Sequence, residues 1–154
     1  MHIRKAHVAE SDTLSAIAYA SKAHWGYPPA VLDSWRHDLS ISADSIARHP
    51  TFVCEVRGEI AGFYQLILGE GECSIEHLWV LPSFMGKGVG RSLLAHAVEQ
   101  AARCGATHVA IDADPNAEQF YVACGAVRCG VVAAPIDGEP ERVRPQLRIG
   151  IAEV

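Results

Sequence analysis

The chain has 154 residues, 49% of them hydrophobic and 20% charged, enough for one domain with a sizeable core and outside the disordered and fibrous classes. Thirteen Lys and Arg against 18 Asp and Glu leave a formal net charge of −5. That balance argues against nucleic acid as the main partner and is compatible with a cationic one.

In chain order, residues 2–8 predict a first strand. Ser11 or Asp12 is placed to cap a helix reaching about Lys22, with Leu14, Ile17 and Ala18 on one face. HWGYPP at 24–29 breaks the chain. Two short helices are expected near 30–39 and 42–48. TFVCEV (51–56), a turn at 57–59 and IAGFYQLIL (60–68) read as a hairpin. CSIEHLWV (73–80) is the third strand of that meander. A helix follows in which Leu94, Ala97, Val98 and Ala101 fall at i, i+3, i+4 and i+7, with Gly105 placed to end it. THVAID (107–112) reads as a strand and PNAEQFYVACG (115–125) as a short helix, Asn116 and Gln119 resembling a capping box. AVRCGVV (126–132) and a last strand near 143–151 flank a polar loop at 133–141. The expected order is βααβββαβαββ, a mixed α/β fold in one domain over residues 1–154.

Five scattered cysteines without CxxC pairs do not read as a disulfide framework. They are expected as reduced thiols in a cytoplasmic protein. Eight dispersed histidines show no zinc-type spacing, so no metal is expected. The N-terminus MHIRKAHVAESD lacks a signal core. No run approaches the roughly 18–20 apolar residues of a membrane span, and no membrane association is expected.

Between the meander and the clearest helix lies PSFMGKGVGRSLL, residues 82–94. Gly86, Gly88 and Gly90 remove Cβ atoms from one side of a turn, so backbone N–H groups can converge on a ligand. The first N–H groups of the helix lack internal acceptors and carry the positive end of its dipole. Lys87 and Arg91 add charge beside what reads as a phosphate site. The dinucleotide fingerprint GxGxxG fails because Arg91 stands at its third glycine, and the P-loop pattern fails because Lys87 sits between glycines. The alternative is a glycine-rich turn with no ligand.

VLPSFMGKGVG together with PNAEQFYVACGA resembles the acetyl-CoA signature of the GCN5-related N-acetyltransferases, the GNAT family. The resemblance runs through the whole element order, with its specific residues inside 76–125. It implies the GNAT fold, a mixed central sheet in which two parallel strands, here 73–80 and 107–112, splay apart. It also implies acetyl-CoA as co-substrate, bound by Leu78, Trp79 and Val80, by Met85, Gly86, Lys87, Gly88, Val89, Gly90 and Arg91, and by Asn116. Met85 departs from the family's Arg or Gln and cannot donate a hydrogen bond; backbone amides remain, so binding is expected to be retained. Ala126 replaces the family's common Phe after Gly125.

By the same resemblance, acetyl passes from the thioester to an amine, and Tyr121 returns a proton to the leaving thiolate. An alkylamine with a pKa near 10.4 must first lose its proton, at about 4.6 kcal/mol at pH 7. Glu76 is the candidate base, directly or through water; the alternatives are an exposed strand carboxylate or a ligand-orienting group. Alternation puts Glu76 on the face of Leu78 and Val80 and His77 on the other. His24, Trp25 and Tyr27, with the loop 134–142, are expected to wall the acceptor pocket, or Trp25 and Tyr27 to plug the core. Arg142 and Arg144 are placed to hold a substrate carboxylate. The leading expectation is a cytoplasmic N-acetyltransferase acting on a small-molecule amine. Its alternatives are a protein N-terminal or lysine acetyltransferase and, in another class, an acyl-CoA sensor without turnover. A homodimer is compatible with the family.

Overall fold

The tightest local instruction in the chain is Arg57-Gly58, both at positive φ (54° and 78°). That backbone twist matches two strands of a hairpin, and it joins β2 (Thr51–Val56) to β3 (Glu59–Leu68). The computed structural model describes residues 1–151; residues 152–154, the end of the expected domain, lie outside them. β1 (His2–Lys5), β4 (Glu72–Val80), β5 (His108–Asp112), β6 (Val127–Ala133) and β7 (Val143–Gly150) complete the sheet. Among the described residues it has seven strands in the order β1-β2-β3-β4-β5-β7-β6. Every neighbouring pair is antiparallel except β4 and β5.

The helices are α1 (Ser11–Ala23), α2 (Pro29–Ser34), α3 (Ala43–Arg48), α4 (Val89–Arg103) and α5 (Glu118–Ala123). Three helices, α1 to α3, lie between β1 and β2, one more than the expected order βααβββαβαββ has there, because the short segments read near 30–39 and 42–48 each form a separate helix. The stretch near 30–39 stops being helical after Ser34. β1 ends at Lys5 because residues 6–10 turn, with the His7 amide donating to Glu10 Oε1 at 2.7 Å. The turn before α5 is capped by Asp114, whose Oδ1 accepts the Asn116 amide at 2.7 Å; the expected Asn116–Gln119 capping box does not form.

The sheet separates two apolar layers. Leu93, Leu94, Ala97 and Ala101 of α4 pack with Tyr64, Leu66 and Val109 on one side. Leu14, Ile17 and Ala18 of α1 pack with Val53 and Phe63 on the other. Burial on this scale, at about 25 cal/mol per Å² of apolar area, is what holds β4 and β5 between the layers.

Two irregularities in β4 set the geometry of the cleft. β4 pairs with β5 only from Glu72↔His108 to Ile75↔Ile111, so its second half leaves β5 and a cleft opens. On its other edge the β3 register jumps from Leu66↔Ile75 to Gln65↔His77, leaving Glu76 as the bulged residue. The extra residue inverts the alternation. Cys73 and Ile75, then Leu78 and Val80, all pack toward the α4 layer. Trp79 packs toward α1, and His77 faces Phe63 of that layer with ring centroids 6.1 Å apart.

Candidate active site

The glycine turn is built in three steps. Pro82–Phe84 forms a 3-10 turn after β4. Gly86 and Gly88 take φ of +76° and +85°, a left-handed backbone that other residues adopt only with strain. No atom lies within 4 Å of where a Cβ would sit on either, so conformation rather than space requires glycine there. Gly90 is different. A Cβ on it would lie 3.2 Å from Phe120 Cζ and 3.6 Å from Val80 Cγ2. The three glycines therefore do two jobs: two bend the turn, and the third seats α4 against α5.

Ser92 donates to the Gly88 carbonyl at 3.0 Å, the first bond of α4. The amides of residues 86–91 find no acceptor among the described residues. Gly86, Gly88 and Gly90 line a cavity of about 430 Å³ with Leu78, Val80, Met85, Arg91, Trp25 and Tyr121. Tyr121 is 6% exposed and meets Phe120 edge to face at 5.1 Å. Burial raises the pKa of its phenol above the ordinary value, so it keeps its proton at neutral pH.

The side chains of the remaining cofactor-side candidates point elsewhere. Val89 is in the core. The Lys87 ammonium sits over the Phe84 ring, 5.7 Å from its centroid, and Trp79 faces the opposite layer. Asn116 turns its amide to Tyr27 Oη (3.1 Å) and Asp114 Oδ1 (3.0 Å).

On the Trp79 side of β4 lies a second cavity of about 430 Å³, lined by Lys22, Trp35, Glu76, Trp79, Asp114 and Arg142, among others. Glu76 is exposed and belongs to this side, not to the face of Leu78 and Val80; the bulge is the reason alternation misplaces it. A polar network floors the cavity. Lys22 Nζ contacts Asp114 Oδ2. Tyr27 Oη donates to the same oxygen at 2.8 Å and accepts from Arg142 at 3.2 Å. Lys22 Nζ sits 4.6 Å from the Trp35 ring centroid and the Arg142 guanidinium 5.2 Å from it, both within cation–π range.

Burial works to raise the Asp114 pKa, but the Lys22 charge and the hydrogen bonds from Lys22, the Asn116 amide and Tyr27 outweigh it and hold the carboxyl below its ordinary value. Burial, helped by Asp114, pushes the Tyr27 phenol up to about 12. His77 is held down to about 4 by burial.

Of the three acceptor-side candidates, only Tyr27 joins this network. Trp25 lines the glycine-turn cavity, and His24 packs on Trp25 at 5.2 Å. Lys22, Trp35 and Asp114 were not among the residues expected from the sequence. Lys22 does carry a signal: it extends the buried stripe Leu14, Ile17, Ala18, Ser21 at i+8, where a lysine needs a partner. All five cysteines are free. Among the described residues no cluster of His, Cys, Asp and Glu is suited to a metal, and no helix is long and apolar enough to cross a membrane.

A profile of the acetyltransferase (GNAT) family matches residues 14–126, which takes in the glycine turn, Glu76 and Tyr121. The chain belongs to the GNAT acetyltransferase family. Among solved structures, this GNAT chain is similar to a GCN5-related N-acetyltransferase from Rhodopseudomonas palustris, with a TM-score of 0.80 and 22% identity over 97% of this chain and 94% of that one. It is similar to the PaiA N-acetyltransferase of Thermoplasma acidophilum in complex with coenzyme A, at 0.75 and 18% over 97% and 98%. It is also similar to YncA, a putative acetyltransferase from Salmonella typhimurium with its cofactor acetyl-CoA, at 0.72 and 20% over 100% and 95%. At these identities the likeness carries the fold. None of the curated proteins matches the chain. The splay of β4 from β5 and the helix-leading glycine turn agree with the GNAT expectation drawn from the sequence.

Proposed function

We propose that this GNAT chain transfers the acetyl group of acetyl-CoA to the amine of a small molecule. The observation that carries the reading is the run of six backbone amides, residues 86–91, without acceptors among the described residues, beside a cavity that reaches Tyr121. Orphaned N–H groups at a helix start favour an anion, and the open space over Gly86 and Gly88 admits one close to the backbone. These features fit the diphosphate of coenzyme A. Met85 supplies no donor, so the amides and Arg91 carry the grip.

Beyond Ile75, β4 has no β5 partner. The backbone groups of Leu78 and Val80 on that edge are free to bond the amides of a pantetheine arm, which satisfies polar groups that are costly to leave unpaired. Acetyl-CoA supplies the activated thioester. The acceptor enters from the Glu76 side, and its nitrogen bonds to the acetyl carbon as the carbon–sulfur bond breaks. Glu76, directly or through water, takes the ammonium proton before attack, Tyr121 donates its proton to the departing thiolate, and the second proton that the nitrogen sheds on becoming an amide restores the Tyr121 phenol. The Tyr121 proton is the one that burial retains. The second cavity, about 430 Å³ and lined by Lys22, Trp35, Glu76, Trp79, Asp114 and Arg142, has room for a small molecule.

Calorimetric titration with CoA and acetyl-CoA is the test. Uptake of both, lost on Gly88→Val, supports the reading; no uptake of either overturns it.

A further inference from the structure

The floor of the acceptor-side cavity is one anion short. Asp114 is the only carboxylate in ion-pair range of Lys22 and Arg142 among the described residues, and it serves both. Lys22 is in contact with it and Arg142 lies 3.6 Å away. All three side chains are buried, 11%, 5% and 6% exposed for Lys22, Arg142 and Asp114. Arg144 does not add to the surplus, because Asp112 matches it with two bonds of 2.9 and 3.1 Å. Tyr27 is neutral and already gives its one proton to Asp114.

Arg142 supplies a second, independent observation. One terminal nitrogen donates to the Ala134 carbonyl at 3.0 Å and the other to Tyr27 Oη at 3.2 Å. Its Nε–H is buried without a partner among the described residues. An unsatisfied buried donor is costly, and a charged one more so. The Tyr27 and Trp35 rings flank the guanidinium at 5.4 and 5.2 Å and restrain it. Burial lowers the Lys22 pKa, Asp114 works against it, and the Arg142 charge adds a smaller downward push.

We propose that the acceptor amine also carries a carboxylate, recognised by Arg142 and Lys22 in the cavity that Glu76 and Asp38 line. The inference rests on the acetyltransferase reading and narrows its substrate class. A guanidinium edge matches a carboxylate in planar geometry, which a single point charge does not. Glu76 and Asp38 line the same cavity and form no ion pair with Lys22 or Arg142. They give it a negative pole for an ammonium. A zwitterion of amino-acid size matches both poles within about 430 Å³. A lysine side chain of a folded protein brings an ammonium but no carboxylate beside it, and leaves Arg142 unmatched.

Thiol release from acetyl-CoA with matched pairs is the experiment: common amino acids against the primary amines that lack only the carboxylate. The expected result is a kcat/KM about 10- to 100-fold higher for the carboxylate-bearing member, the size of a charge-assisted hydrogen bond. Arg142→Gln should erase most of that preference while CoA uptake, read by calorimetry, stays within about threefold. Equal or better turnover of the amines without carboxylate overturns the proposal and leaves the acetyltransferase reading standing. Turnover of neither set by protein that binds CoA overturns it as well. A preference that persists in Arg142→Gln overturns the assignment to Arg142. No CoA uptake by the native chain sinks the underlying reading instead. Should Arg142→Gln fail to fold, the matched pairs on the native chain decide by themselves.

Discussion

Trp79 Nε1 donates a hydrogen bond to His77 Nδ1 across 3.0 Å. An indole N–H only donates, so this bond holds His77 as the neutral tautomer with its proton on Nε2. Burial points the same way, keeping the His77 pKa down to about 4 against an ordinary 6.5. Between those two values the unfolded chain binds the proton and the folded chain does not, so His77 makes stability rise with pH. Its contribution is whole above about pH 6.5 and declines as pH falls toward 4, by about 3 kcal/mol. Urea denaturation at pH 7 and pH 4.5 should show this decline, and His77→Gln should remove much of it. An undiminished decline in the variant would assign the effect to other groups.

Two glycines of one turn should fail differently. Gly88→Val places a β-branched residue at φ +85° with no atom in its way, so its effect is backbone strain of about 1–3 kcal/mol. That strain redirects the amides around it, and CoA affinity should fall at least about tenfold. Gly90→Ala instead pushes on Phe120 at 3.2 Å, next to Tyr121 on α5. Its expected signature is a stability loss of about 1 kcal/mol with kcat lowered more than CoA affinity. Calorimetry and turnover on both variants separate the two; identical profiles would contradict the division of roles.

How much of this fold is legible in the sequence depends on how local each signal is. The Arg57-Gly58 turn, the α4 stripe and the glycine run are encoded within a few neighbours, and each forms where expected. The β4 bulge is not local. It arises from the pairing of Gln65 and Leu66 with His77 and Ile75, and no pattern within CSIEHLWV announces it. Alternation therefore finds Glu76 as a residue but puts it on the wrong face. The Lys22–Asp114–Tyr27–Arg142 network joins positions 92, 87 and 115 residues apart. Tyr27 and Arg142 are expected at the acceptor pocket and Lys22 stands out on an apolar stripe, but nothing local joins them to one another or to Asp114. Asn116 stands out for its motif, while the cap and the buried charge belong to Asp114, two residues earlier.

That network predicts a sharp asymmetry. Asp114→Asn removes the one anion shared by Lys22 and Arg142, leaving two buried cations unmatched. Loss of one partner from a buried ion pair costs about 3–5 kcal/mol, and a loss of about 3 kcal/mol in chemical denaturation is the expected result. Asp44→Asn, which breaks an exposed pair with Arg48, should change stability by less than about 1 kcal/mol. If the two variants proved equally mild, Asp114 would not be the charge that holds the cavity floor together.

Tyr121→Phe bears most directly on the chemistry. The substitution keeps the ring that packs on Phe120 and removes only the hydroxyl. Burial holds the phenol pKa above its ordinary value, so the group is a proton donor through the neutral range and not a base. If it donates to the leaving thiolate, turnover should fall about 10²- to 10⁴-fold, the usual contribution of a positioned acid, while acetyl-CoA affinity stays within about threefold. The loss should shrink for an acyl donor whose thiol leaving group has a lower pKa, since such a thiolate needs the proton less. A Tyr121→Phe variant that turned over at the native rate, or one equally impaired with both leaving groups, would reduce Tyr121 to a packing residue in the wall of the cavity.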